Sequence, residues 1–180
     1  MIVFETEKEF EDLLCKELEG NNYWAVEDEH VDNWQRQTNL GYHGITDIIT
    51  STVTMDLDEN KVEFISSRTL KVIELKITEL SYSHLSQIAR YKDFFDVMEP
   101  SADVDYVLVC KHGNLASDAF YLAQSLEWLS VYLYEFSITK GLVFTPLNNF
   151  SANYDSVKMD LAISRIQNHF FDGEEYCGGK

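Results

Sequence analysis

Val72-Ile73-Glu74-Leu75-Lys76-Ile77 lies near the middle of the 180-residue chain and reads as a short apolar strand with an acid and an amine inside it. Side chains alternate across a strand, so Ile73, Leu75 and Ile77 line one face while Val72, Glu74 and Lys76 share the other. A carboxylate and an ammonium are costly to bury unless they pair or bind something. A strand at a surface edge carries them at no cost, so these six residues alone do not define a site.

Toward the N-terminus, Gly44-Ile45-Thr46-Asp47-Ile48-Ile49 opens a run from Ile45 to Met55 that is rich in β-branched residues and predicts a strand. Asp56 to Asn60 supplies a turn. Lys61 to Ser66 returns as a strand, and Leu70 to Ile77 continues it. Two such strands in a hairpin bring Asp47 beside Glu74. Two carboxylates with the backbone carbonyl of Leu75 make an all-oxygen donor set of the kind that suits Mg²⁺ or Mn²⁺. A neighbouring Lys76 can orient or deprotonate a water, or stabilise charge in a transition state. An aspartate entering a strand is also common without any metal.

Toward the C-terminus, Ser81 or Ser83 caps a helix reaching about Val97, with Leu85, Ile88, Ala89 and Phe95 turned to the core. Gln87 and Tyr91 are one turn apart on one face of it. A strand over Asp105 to Cys110 follows, then an amphipathic helix over Asn114 to Leu129. Strands over Val131 to Thr139 and Leu142 to Thr145 meet near Gly141. A terminal helix over Asp155 to Phe170 and a polar tail, 172–180, complete the chain. At the other end, Thr6-x-x-Glu9 is a capping box, and Phe10, Leu13, Leu14 and Leu18 follow at helical spacing until Gly20 stops the helix. Tyr23 to Val26 and Trp34 to Leu40 are strand-like. The expected architecture is α/β, a central mixed sheet flanked by helices, in one domain over 1–171. No GxGxxG or Walker A pattern supports a nucleotide-binding reading.

Gly44-x-x-Asp47, Glu74-x-Lys76 and Gln87-x-x-x-Tyr91 together resemble the PD-(D/E)XK nuclease superfamily, in the form similar to RecB-type and NucS-type nuclease domains. The resemblance spans about residues 4 to 110. It implies a restriction-endonuclease-like αβββαβ core with extra C-terminal strands and helices. It also implies metal-dependent hydrolysis of phosphodiester bonds in nucleic acid, with DNA preferred. In that reading Asp47, Glu74, Lys76 and Gln87 are catalytic, and Asp47, Glu74 and the Leu75 carbonyl hold Mg²⁺ or Mn²⁺. A glutamate of the first helix joins the metal site, either Glu7 or Glu11, with Glu11 preferred. Tyr91, Arg36, Arg68 and Lys71 contact substrate. The chain departs from the pattern in having Thr46 where proline is usual, and in a longer gap between Asp47 and Glu74, which an extended hairpin arm over 54–70 would fill.

Composition pulls the other way. The formal net charge is −17, whereas nucleic-acid binders are usually basic. Residues 1–32 hold 11 acids and two bases, and residues 61–92 hold six bases and three acids, so the only basic surplus surrounds the motif. Such acidity suits a recruiting protein partner or a homodimer. It also fits a different class: a catalytically inactive fold or acidic DNA mimic that occupies a basic partner. Cys15, Cys110 and Cys177 show no metal spacing and read as reduced thiols, which points to the cytoplasm. No apolar run approaches the ~20 residues of a membrane span, so no membrane partner is expected.

Overall fold

The computed structural model describes residues 4–150; the expected terminal helix, the tail and Cys177 lie outside the described residues. Among the described residues are three α-helices and a six-stranded mixed sheet. No helix there is long and apolar enough to cross a membrane.

Helix α1 (Glu7–Asn21) starts where Thr6 Oγ1 accepts the Glu9 N–H at 3.2 Å, while the Glu9 carboxylate reaches back to the Glu5 N–H. It runs past Gly20. Asn22, at φ +52°, takes the left-handed position that closes it, and its N–H serves the last carbonyls. Strands β1 (Tyr23–Trp24) and β2 (Glu29–His30) form a small hairpin. The main sheet then runs β3 (Asn33–Asn39), β4 (Ile45–Leu57), β5 (Glu63–Glu79), β6 (Asp103–Lys111), β7 (Leu129–Ser137) and β8 (Gly141–Pro146), in that spatial order. β3 to β5 are antiparallel, β5 to β7 parallel, and β8 is antiparallel to β7. Each parallel step needs a crossover: α2 (Tyr82–Met98) joins β5 to β6, and α3 (Asp118–Ser125) joins β6 to β7.

α3 is shorter than the expected helix over 114–129. The Asn114 side chain accepts the Ala116 N–H, and Ser117 Oγ then caps Phe120 N–H, so the first four residues are spent on a turn. At the other end Leu126 is extended and Leu129 already pairs beside Tyr106. The two expected strands over 61–66 and 70–77 form one 17-residue strand.

The sheet separates two cores. On one face Phe10, Leu14 and Leu18 of α1 cover Ile48, Ile73, Leu75, Val107 and Val109. On the other, Leu85, Ile88, Tyr91 and Phe95 of α2 and Phe120 of α3 cover Val72, Leu108 and Leu133. The period-2 pattern of β5 is therefore masked: both faces are covered, and Val72 to Lys76 are all buried. Cys15 and Cys110 are packed within these layers, as small core residues.

Candidate metal and phosphoryl site

β4 and β5 pair in the register Ile49 with Val72 and Ile48 with Ile73. One step further along the same register, Asp47 faces Glu74. There the two strands part. Asp47 Oδ2 accepts the Leu75 N–H at 2.7 Å, so a side chain takes the place of a ladder bond. That bond fixes the Asp47 carboxylate against β5.

Glu74 is 1% exposed, with both oxygens engaged. Oε1 meets the Lys76 ammonium at 2.6 Å, and Oε2 accepts from the Tyr91 hydroxyl at 3.1 Å. Tyr91 comes from α2, is fully buried, and shares its single proton between Glu74 and the Ile45 carbonyl at 2.6 Å. Gln87, one turn earlier, donates to the Tyr91 oxygen at 2.7 Å. Gln87, expected among the catalytic residues, thus reaches Glu74 through Tyr91. Gly44 explains the first position of Gly-x-x-Asp. It sits at φ +118°, and a Cβ there would lie 3.2 Å from the Tyr91 ring, so only glycine lets the chain entering β4 pass over that ring.

From the opposite side of the sheet, α1 delivers Glu7 to Lys76, 3.2 Å between Nζ and Oε2. Glu11 is buried, with Oε1 on Arg36 Nε at 2.7 Å and Oε2 on Gln37 Nε2 at 2.9 Å. Gln37 also leans toward Asp47 Oδ1, at 3.5 Å. It is the one position within β3 left out of the ladder to β4, at φ +53°, a conformation uncommon for a residue other than glycine. Backbone strain of this kind is retained where the surroundings over-determine it. Glu7, Lys8, Glu11, Arg36, Gln37 and Asp47 line a solvent-open cleft of about 590 Å³.

The electrostatics follow from this crowding. Burial, reinforced by the negative charge of Asp47, pushes Glu74 up to about 7. Burial pushes Asp47 up to about 6, against the lowering effect of the Leu75 N–H and of Lys76. For Lys76 burial acts downward, but Glu74, Glu7 and Asp47 together more than offset it and the ammonium is held above its ordinary value. A buried acid, Glu74, and a half-buried one, Asp47, therefore crowd one monovalent cation, and each keeps part of its affinity for a proton.

The remaining expected site residues fall elsewhere. Arg36 borders the cleft but is held by Glu11 and Asp12. Lys71 faces the α1 side of the sheet, where Glu27, at 2.6 Å, and Glu29 bind its ammonium, so it does not join the site. Glu27 is in turn tied by Trp24 and Tyr132, which makes this a structural anchor. Arg68 is exposed on β5, six residues and roughly 20 Å of strand from Glu74. Gln37 reaches the site as well, bonded to Glu11 and leaning on Asp47. Its signal is backbone conformation, which no spacing pattern carries.

The donor set fits a hard divalent ion. Asp47 and Glu74 offer carboxylate oxygens whose proton affinity is raised first by burial and, for Glu74, by the neighbouring Asp47. Among the described residues no three His, Cys, Asp or Glu side chains form a ready-made metal cluster, so water or substrate oxygens must complete any coordination shell. No protein-family model matches the chain, and no curated protein or solved structure matches it.

Proposed function

We propose that this chain is a metal-dependent phosphodiesterase acting on nucleic acid, with the Asp47, Glu74 and Lys76 cluster as its centre. The observation that carries this reading is the convergence of two proton-hungry carboxylates and one ammonium at the end of β5, next to an open cleft. The element order from α1 through three antiparallel strands, α2 and β6 also agrees with a restriction-endonuclease-like core.

Asp47, Glu74 and the Leu75 carbonyl would hold Mg²⁺ or Mn²⁺, which supplies Lewis-acid polarisation of a phosphoryl oxygen and lowers the pKa of a bound water. The side chains have separable tasks. Lys76 stays protonated, so it serves as a hydrogen-bond donor and fixed positive charge toward a phosphoryl oxygen, not as a general base. Tyr91 and Gln87 hold Glu74 in place from the α2 side. Glu7 and Gln37 do the same for Lys76 and Asp47 from the α1 and β3 side. Arg36 and Lys71 are already neutralised, so neither is free to grip a backbone, and the chain carries a net charge of −17. Binding to free nucleic acid should therefore be weak and salt-sensitive.

The test is cleavage of plasmid and single-stranded DNA with Mg²⁺ or Mn²⁺, comparing wild type with Lys76→Ala. Metal-dependent cleavage that is lost in the variant supports the proposal. Cleavage of equal strength in the variant comes from a contaminant and removes the assignment.

A further inference from the structure

Beyond Ser51 on β4 and Thr69 on β5, the central hairpin outruns both of its neighbours. β3 pairs with β4 only as far as Asn33 with Ser51, and β6 joins β5 only from Asp103 with Thr69. Thr52 to Leu57 and Glu63 to Arg68 are thus a two-stranded arm with no third strand on either side, though Asp32 Oδ2 takes the Val53 N–H at its foot. It is a built element. Asp58 accepts the N–H groups of Asn60 and Val62, each at 2.8 Å, which closes the turn, and Lys61 takes the left-handed position at φ +62°.

The arm is unusually apolar for something standing in water. Met55, Leu57, Val62, Phe64 and Ile65 are each 47% to 62% exposed. Met55, Leu57 and Ile65 alone present roughly 300 Å² of side-chain surface on one face, within the range of the largest apolar patch of an ordinary monomer. Isolated two-stranded ribbons are marginal in water, and long open edges invite pairing. Register assigns the sides: Met55 lies opposite Ile65 and Leu57 opposite Glu63, so these four share one face. Alternation along β4 puts that face on the same side as Ile49, the side covered by α2. At the foot of the arm on this side lies a groove of about 320 Å³, lined by Ile49, Ser51, Leu70, Phe94 and Phe95, with Arg68 at its rim. Arg68 makes no ion pair among the described residues.

We propose that the occupant of this groove is the arm of a second copy of the chain, in a reciprocal two-fold dimer. Ridge and groove adjoin on one face, so a two-fold axis lets each subunit give its ridge and receive the other's. Met55, Leu57 and Ile65 meet the partner's Leu70, Phe94 and Phe95. Glu63 of the arm meets the exposed Arg68 of the other subunit, which supplies opposite charge inside a strongly acidic molecule. Two arm faces bring about 600 Å² of apolar surface, and the grooves that receive them bury a similar area, which together reaches the ~1,000 Å² of specific interfaces. This inference does not depend on the phosphodiesterase reading.

The test is sedimentation equilibrium and light scattering of the full chain across a range of concentrations, with the double variant Met55→Glu/Ile65→Glu alongside. Wild type should give twice the 20.9 kDa of one chain. The variant should dissociate roughly 100-fold more readily, equivalent to about 2.8 kcal/mol. Its circular dichroism should match wild type, because the arm lies outside both cores. A wild type that stays monomeric at high concentration overturns the proposal, as does a dimer that the double variant leaves intact. A monomer whose arm variant instead loses oligonucleotide binding assigns the arm to nucleic acid and also overturns it.

Discussion

Replacing Asp47 with asparagine should make the metal-free protein more stable and blind to divalent metal. The carboxyl oxygen that accepts the Leu75 N–H at 2.7 Å has an amide counterpart of the same shape, so the strand junction is kept. What disappears is one of two crowded negative charges. Asp47 is raised from 3.8 to about 6, first by burial, and Glu74 from 4.5 to about 7, in part by Asp47 itself. An acid whose folded pKa is raised stabilises the fold while it is protonated. That contribution is complete below pH ~4 and is lost as pH climbs through the folded values, between about 4 and 7. At about pH 8 ionised Asp47 thus costs up to ~3 kcal/mol, at 1.36 kcal/mol per pKa unit. That net shift already counts the attraction of Lys76; the amide N–H groups of asparagine, facing Gln37 Nε2 where Asp47 Oδ1 stood, reduce the gain to about 1–3 kcal/mol. For a chain of this size that is a rise of several degrees in melting temperature, at ~2–4 °C per kcal/mol.

Thermal unfolding with chelator at about pH 8 and about pH 4.5, then with Mg²⁺ or Mn²⁺ at the higher pH, measures every part of this. The variant should melt higher than wild type at the alkaline pH and nearly equal to it at the acid pH. Metal should stabilise wild type and leave the variant unmoved. A variant that is less stable at alkaline pH, or one that keeps the full metal-induced shift, refutes the picture of two carboxylates short of a cation.

Other expectations rest on single contacts. Wild type without metal should lose stability between pH 4 and 7 as Asp47 and Glu74 ionise, and a pH series of denaturant titrations should show that fall reduced by saturating Mn²⁺. Tyr91→Phe removes the hydroxyl that serves Ile45, Glu74 and Gln87; it should cost about 1–3 kcal/mol in urea unfolding and lower cleavage more than metal affinity. Gly44→Ala places a methyl 3.2 Å from the Tyr91 ring at φ +118°, and should lower stability by about 1–3 kcal/mol. Gln37→Gly should be more stable than Gln37→Ala by about 1 kcal/mol in the same assay, since glycine relieves the left-handed backbone while both lose the bond to Glu11.

How far the sequence could be read depended on the kind of signal. Alternation and β-branching located β4, β5 and β6, and the i, i+4 spacing of Gln87 and Tyr91 put them on one helical face, because these are local properties. The juxtaposition of Asp47 with Glu74 followed from a hairpin and its register. Other features depended on competition that no pattern displays. Asn114 and Ser117 divert their neighbours into a turn, so α3 begins later than its apolar spacing implies. Asn22, not Gly20, closes α1, since either residue tolerates the left-handed position and the hydrogen bonds decide between them. Lys71 and Arg36 looked like free cations beside a motif. Their acidic partners, Glu27 and Glu29, and Glu11 and Asp12, lie 24 to 44 residues away along the chain. Charge counted along a sequence says nothing about such pairing.

The central claim is that Asp47 and Glu74 together bind a divalent cation beside Lys76. Diffraction from crystals grown with Mn²⁺, recorded where manganese scatters anomalously, tests it most directly. The account predicts an anomalous peak at about 2.1–2.3 Å from oxygens of both carboxylates and of the Leu75 carbonyl, with water filling the remaining positions. Crystals soaked in Mn²⁺ that show no peak there, with the Lys76 ammonium still closing on Glu74, would contradict it.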